Sequence, residues 1–344
     1  MSLRANIKVL SGSLDCALPA TGITVIFGES GCGKTTLLRT LIGLEKAAGS
    51  IFLGSTTWQD AQRFITPSQR HIAVAFQEPR LLAHKTALEN ILLGQQNTTK
   101  ACHYDAITKA LDLDRLLHQK AQSLSGGEQH RVALARALSK DACAVFLDEP
   151  LTGLDQQRRK AAMGLIQQAA ETKPVLLVTH QLDELLALAQ YLILMGKNQT
   201  LCGEIDALIN EPILTQQRGH EYSILTGPLQ PNPASDLHAI DLGAGQTLRI
   251  TPKIHAAGTD KIRVAIDARD VSLSLSRAED SSIMNILAAK VVELQPAHEG
   301  AIKVTLNLGS QLLRALISSH SAQKLALKPG LALFAQIKAT VQIR

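Results

Sequence analysis

The stretch GESGCGKTT, residues 28–36, follows the apolar run ITVIF (23–27) and leads into LLRTLIGL (37–44). Its spacing, G-x-x-x-x-G-K-T, places a glycine-rich turn between an expected strand and an expected helix, the context in which such a loop binds phosphate. Gly28, Gly31 and Gly33 permit a tight turn with backbone N–H groups aimed inward, and no Cβ blocks a phosphate there. Lys34 can reach the β- and γ-phosphates of a nucleotide, and the Thr35 hydroxyl can ligate Mg2+. Glu29, Ser30, Cys32 and Thr36 complete the expected nucleotide-binding loop, Cys32 as a small residue and not a redox centre.

Working outward, AVFLDEP (144–150) supplies the next component. Its apolar run places Asp148 at the exit of a buried strand, where a carboxylate can hold Mg2+. The adjacent Glu149 can polarise an attacking water as general base. Paired acids after a strand are also common as solvated loop residues; the phosphate loop upstream favours the chemical reading.

Composition bounds the rest. The 344 residues exceed one ordinary core, so two domains are expected, and 45% hydrophobic content marks globular material. A net charge of +5 without a basic block does not suggest a nucleic-acid binder, and no nucleic-acid partner is expected. The five cysteines, Cys16, Cys32, Cys102, Cys143 and Cys202, have no metal-ligand spacing. MSLRANIKVL (1–10) runs into SGSLD (11–15) without an apolar h-region, so no signal peptide is expected, and LLALAQYLILM (185–195) is about half a membrane span. Any membrane association is therefore expected to be peripheral.

Short apolar runs (ITVIF, AVFLD, VLLVT) alternate with helical patterns up to about residue 228, the signature of a largely parallel sheet covered by helices. GPLQPNPASD (227–236) carries three prolines, Pro228, Pro231 and Pro233, and reads as a linker over 229–240. From 241 to 344 the pattern becomes short β runs: QTLRI, IRVAI, VSLSL, AAKVVEL, IKVTLNL, LFAQI and TVQI. These predict a small all-β barrel or sandwich. The tail also echoes itself, Leu248 and Arg249 returning as Leu313 and Arg314, and AIDARDVSL (265–273) as AQIKATVQI (335–343). The echo suggests two related half-barrels.

QSLSGGEQHRVALARAL (122–138) decides the class. LSGGEQ, Leu124-Ser125-Gly126-Gly127-Glu128-Gln129, resembles the signature motif of ATP-binding-cassette (ABC) ATPases. The motif order matches that family: Gln77 in VAFQEP resembles the Q-loop glutamine that senses Mg2+ and water, Asp155 in LTGLD the D-loop aspartate, and His180 in LLVTHQLDE the switch histidine. The resemblance implies an α/β fold, a P-loop NTPase core of RecA-like type plus a helical subdomain, ahead of the small OB-like barrel. It also implies that Ser125, Gly126 and Gly127 complete a second copy's ATP site, so that a homodimer is expected. Residues 1–26 contain no Phe, Tyr or Trp to stack an adenine; Phe27 is the first aromatic.

The gap between Lys34 and Ser125 holds no heptad run, and the chain carries no second phosphate loop. A transporter ATPase is therefore expected in preference to the repair, cohesion or translation types. On that reading EPRLLAHKTALENILLG (78–94) would receive a helix of a membrane partner. SSIMNILAAKVVEL (281–294), with IKVTLNLGSQLLRA and LALKPGLALFAQIKATVQI, is similar to the molybdate-binding-protein-like (Mop/TOBE) module, about 280–344, of molybdate-importer ATPases. That resemblance implies hydrolysis of ATP to ADP and phosphate coupled to uptake of molybdate or tungstate at the cytoplasmic face of the inner membrane. Two transmembrane permease subunits and a periplasmic molybdate-binding protein would be its partners. The alternatives are an importer ATPase for sulfate, a sugar or iron, and a soluble ABC ATPase or oxyanion sensor. The module's usual S-A-R-N stretch reads Ser282-Ile283-Met284-Asn285 here, which removes a guanidinium. Two readings of the tail stand: molybdate held by Lys303, Arg314 and backbone N–H groups, or dimerisation without a ligand.

Overall fold

A computed structural model describes residues 2–9, 12–93, 104–197, 199–217, 220–230, 237–251, 261–297, 300–337 and 341–342. The chain divides into two compact units, Met1–Leu208 and Ile209–Arg344.

At the heart of the first unit is a six-stranded sheet in the order Thr200–Glu204, Tyr191–Met195, Gly22–Gly28, Pro174–Val178, Ala144–Asp148, Ile72–Ala75. All neighbours are parallel except the edge strand Thr200–Glu204. The inner strands are buried on both faces, which is why ITVIF, PVLLV and AVFLD read as unbroken apolar runs without alternation. A second, antiparallel sheet runs Gly12–Ala17, Leu3–Val9, Gly49–Leu53, Thr56–Gln59. Its inner face (Leu3, Ala5, Ile7, Leu14, Ile51) joins the core with Leu37, Leu38 and Leu41 of the helix Lys34–Ile42. Phe27 is 0% exposed in this unit, so it offers no face to a base.

Register decides where the loops emerge. Ile26 lies beside Val178, and Val178 beside Asp148, so three neighbouring strands end level at one edge. From that edge leave the 28–33 loop, the Asp148–Glu149 corner and the Thr179–Gln181 turn. Carboxyl ends of parallel strands are where open α/β sheets place their ligands.

In the second unit, one sheet contains Gln216–Gln217, His220–Gln230, His238–Gly243, Gln246–Thr251 and Val341–Gln342, with Lys261–Asp267 also paired to His220–Gln230. The other runs Val271–Ser274, Ala332–Ile337, Asn285–Pro296, Ala301–Asn307, Leu312–Ser318 and is wholly antiparallel. One apolar core, including Leu225, Leu248, Val264, Val304, Leu313 and Ala335, is shared by the two sheets. This is the expected all-β tail. The first unit ends at Leu208, earlier than the expected 228, and His220–Gln230 pairs into the tail. Apolar Ile224 and Leu225 had no local neighbour to reveal that allegiance; a strand seven residues long across the tail, Lys261–Asp267, provides it. Of the expected linker, 231–236 lies outside the described residues, as do 338–340 and 343 of the internal echo and Cys102.

Candidate active site

The glycine loop is shaped as its spacing requires. Gly31 and Gly33 have φ of 84° and 99°, where a side chain would be strained. A Cβ on Gly28 would lie 2.2 Å from the Met195 carbonyl oxygen, because the neighbouring parallel strand passes there. The helix Lys34–Ile42 begins at once, with no side chain capping its N-terminus, so its first N–H groups face the loop. Lys34, 8% exposed, folds back: its Nζ donates to the carbonyls of Gly28 and Glu29, both at 2.8 Å.

Asp148 ends its strand 2% exposed, and its carboxylate lies beside the Thr35 hydroxyl. Burial, and the adjacent Glu149 charge, push its carboxyl above the ordinary value; the Thr35 hydroxyl and Lys34 oppose them. Asp148 Oδ1 nonetheless has no hydrogen-bond partner among the described residues. A buried carboxylate oxygen without a partner beside a threonine hydroxyl is an unfinished hard-oxygen site, and it suits Mg2+ carried by phosphates and water better than a dedicated protein cage. Among the described residues no cluster of three or more His, Cys, Asp or Glu side chains is placed to hold a metal by itself.

Glu149 adopts φ 47°, an uncommon conformation outside glycine, and its N–H donates to the Val178 carbonyl at 3.0 Å. This turns its side chain to His180, whose Nδ1 lies 2.9 Å from Glu149 Oε1. Gln181 Nε2 sits 2.9 Å from His180 Nε2 and can only donate there, which puts the ring proton on Nδ1, toward Glu149. Gln77, two residues past the strand Ile72–Ala75, is exposed, and its carbonyl accepts from His130 at 2.8 Å. Among the described residues its side chain makes no hydrogen bond to Thr35 or Asp148, so Lys34, Thr35, Asp148, Glu149 and His180 are placed without it.

Ser125 caps the helix Gly126–Leu138 through a reciprocal box: its hydroxyl accepts from Glu128 N, and Glu128 Oε2 accepts from Ser125 N at 2.8 Å. Those bonds hold the Glu128 carboxyl below its ordinary value. Gln129 donates to the Ala121 and Leu124 carbonyls, tying down the loop before it. Ser125 and Gly126 are exposed, and a Cβ on Gly126 would meet nothing within 4 Å. Asp155 caps the helix Gln156–Ala170, accepting from Arg158 N at 2.9 Å.

Sequence reading passed over several residues that hold this site. Thr179 donates to the buried Glu184, and Arg159 donates to Glu184 Oε1 at 2.7 Å. Arg158 bridges Asp155 and Asp112, and Arg131 donates to the Leu111 and Asp112 carbonyls at 2.7 Å. A charged residue early in a helix looks like ordinary capping, so no local signal distinguishes Glu184. In the tail, Lys303 and Arg314 both point at Glu221, each 3.3 Å from its Oε1, so a carboxylate already answers the two cations. Met284 is 52% exposed, and Asn285 is buried, pairing with the N–H and carbonyl of Arg249.

The family model described as ABC transporter matches residues 12–152, and that described as TOBE domain matches 281–341. The chain is 37% identical to the molybdenum import ATP-binding protein ModC of Albidiferax ferrireducens, over 94% of this chain and 90% of that protein. It is 36% identical to the protein of that name from Pseudomonas aeruginosa, with 94% and 93% covered. Among solved structures, an inward-facing metal-chelate type ABC transporter shares the fold at a TM-score of 0.52 and 24% identity, over 68% of this chain and 93% of that one. CbiO1 from Clostridium perfringens does so at 0.51 and 20%, over 63% and 93%. With a likeness that runs through both units and not merely the nucleotide cassette, the chain belongs to the molybdenum import ATP-binding proteins, a family of ABC transporter ATPases.

Proposed function

We propose that the chain is the ATP-hydrolysing subunit of an importer for molybdate or tungstate, acting as a homodimer. The observation that carries this reading is an asymmetry within one chain. Lys34, Thr35 and Asp148 gather at one phosphate cradle, while the helix N-terminus at Ser125 and Gly126 is exposed, with open space where a Gly126 side chain would stand. Among the described residues nothing stands within 4 Å of where a Gly126 side chain would be, which leaves room for a ligand brought by a second copy. The full-length likeness to molybdenum import ATP-binding proteins supports the substrate.

On nucleotide binding, Lys34 exchanges two loop carbonyls for the terminal phosphates, and the N–H groups of the 28–36 loop receive the rest. Thr35 and Asp148 would hold Mg2+, which neutralises charge on the phosphates when bound. Ser125, Gly126 and Gly127 of the second copy close the seam, adding a helix N-terminus to the γ-phosphate. Glu149 accepts the proton of the attacking water, held in place by the Nδ1–H of His180. Gln77 reaches the site on closure.

A groove of about 390 Å3 lined by Ile42, Leu44, Phe76, Arg80, Leu93 and Arg136 suits a helix of a permease subunit. Asn90 pins its neighbouring loop by accepting from Leu82 N and donating to the Leu82 and Thr86 carbonyls. Two such permeases, a periplasmic binding protein and a place at the cytoplasmic face of the inner membrane complete the proposal; no helix of the described residues is long and apolar enough to cross a membrane. For the tail, the pairing of Lys303 and Arg314 with Glu221 favours assembly over oxyanion binding. Equilibrium dialysis of the full chain against molybdate tests this, retention favouring the oxyanion site.

The deciding experiment is uptake of labelled molybdate by cells with and without this chain, with sulfate as competitor. Uptake that depends on the chain and resists sulfate is expected; uptake unchanged by its loss overturns the substrate, and absence of any membrane subunit on co-purification overturns the transporter.

A further inference from the structure

Glu184 is a carboxylate 4% exposed, in the first turn of the helix Leu182–Leu188, where a neutral residue would be far easier to bury. Both its oxygens are committed. Oε2 accepts from the Thr179 hydroxyl, and that same hydroxyl oxygen accepts from Gln181 N at 3.0 Å, so the two residues flanking His180 are fastened together. Oε1 accepts from Arg159 Nη2 at 2.7 Å, and Asp183 Oδ2 lies 3.0 Å from the same nitrogen. Arg159 is one turn into the helix capped by Asp155, and its N–H bonds the Asp155 carbonyl at 2.8 Å. Only a carboxylate can accept from a guanidinium on one oxygen and a hydroxyl on the other.

We propose that Glu184 is a positioning residue for hydrolysis: it couples the helix headed by Asp155 to the turn that aims His180 at Glu149. A displacement of the Asp155 end, which on the proposed reading faces the second copy, then reaches His180 through the half-buried Arg159 and the buried Glu184 and Thr179, a run of directional bonds. His180 passes it to Glu149 over 2.9 Å. The inference rests on the proposed roles of Glu149 and His180, and deepens them by supplying the link through which dimer closure is felt.

The test compares steady-state kcat and KM for ATP, and nucleotide affinity, in full-length Glu184→Gln, Thr179→Val, Thr179→Ser, Glu149→Gln and His180→Ala. Glu184→Gln and Thr179→Val are expected to lower kcat roughly ten- to hundredfold with KM and affinity nearly unchanged, since misplacement of a catalytic group acts on turnover. Thr179→Ser keeps the hydroxyl and restores the rate. Adding Glu184→Gln to His180→Ala is expected to cost nothing further, because the one acts through the other. A normal kcat in Glu184→Gln and Thr179→Val, or full additivity with His180→Ala, overturns the coupling while leaving the hydrolysis reading intact. Normal kcat in Glu149→Gln and His180→Ala overturns the hydrolysis reading itself. Thr179→Val, which removes one oxygen and keeps the shape, decides the matter should Glu184→Gln fail to fold.

Discussion

Arg70 shows how much one side chain organises. It is 2% exposed with no acidic partner among the described residues, donating instead to the carbonyls of Ile65, Leu41 and Trp58 while its guanidinium lies over the Trp58 and Phe64 rings. Burial pushes its pKa down to about 10. Arg70→Met should destabilise the first unit by about 3 kcal/mol or more, because three carbonyls lose a charged donor at once; urea unfolding measures it. Asp148 is the opposite case. Its folded carboxyl is the weaker acid, so its charged form weakens the fold at neutral pH, and that penalty disappears as pH falls through the folded value. Asp148→Asn is therefore expected to stabilise the nucleotide-free chain by roughly 1 kcal/mol, seen as a higher melting temperature, while abolishing Mg2+-dependent hydrolysis. A fall in stability would mean the nearby Thr35 hydroxyl and Lys34 outweigh burial.

At the scale of elements, function and stability separate along the helix Gly126–Leu138. Gly126 has open space where a side chain would stand, so Gly126→Asp should leave the fold intact or firmer, an acidic group at a helix N-terminus being favourable by about 0.5 kcal/mol. The same carboxylate would repel a phosphate. ATP-driven dimerisation, followed by size exclusion in a Glu149→Gln background that preserves bound ATP, should vanish; a dimer that survives would remove 125–127 from the seam. Gly28→Ala is the reverse, since its Cβ would press on the Met195 carbonyl and push apart the adjacent core strands Gly22–Gly28 and Tyr191–Met195. Overpacking of that kind should cost about 2 kcal/mol, read as a lower urea midpoint even without nucleotide.

For the whole molecule, two units with separate cores imply two unfolding events. Calorimetry of the full chain should resolve them, and Mg2+-ATP with Glu149→Gln should move only the transition of the first unit. At a ligand concentration about 100 times Kd the gain is about 2.7 kcal/mol. Movement of both transitions together would mean that the units unfold as one.

Much of this protein is legible along the chain. The parallel sheet, the phosphate loop, the signature helix and the β-rich tail rest on short-range patterns: apolar runs, glycine spacing, a serine–glutamate capping box. Local physics writes these into consecutive residues, which is why Gly28–Thr36 and Ser125–Glu128 can be read without coordinates. The tertiary structure alone decided the rest. His220–Gln230 joined the tail because its partner strand lies at Lys261–Asp267, and Glu221 stands 3.3 Å from both Lys303 and Arg314, the cations that one of the two readings of the tail gave to an oxyanion. Glu184 and Arg70 became hubs because the groups they bind come from distant segments. Hydrogen-bond partners and burial depend on what folding brings alongside, and no periodicity records it.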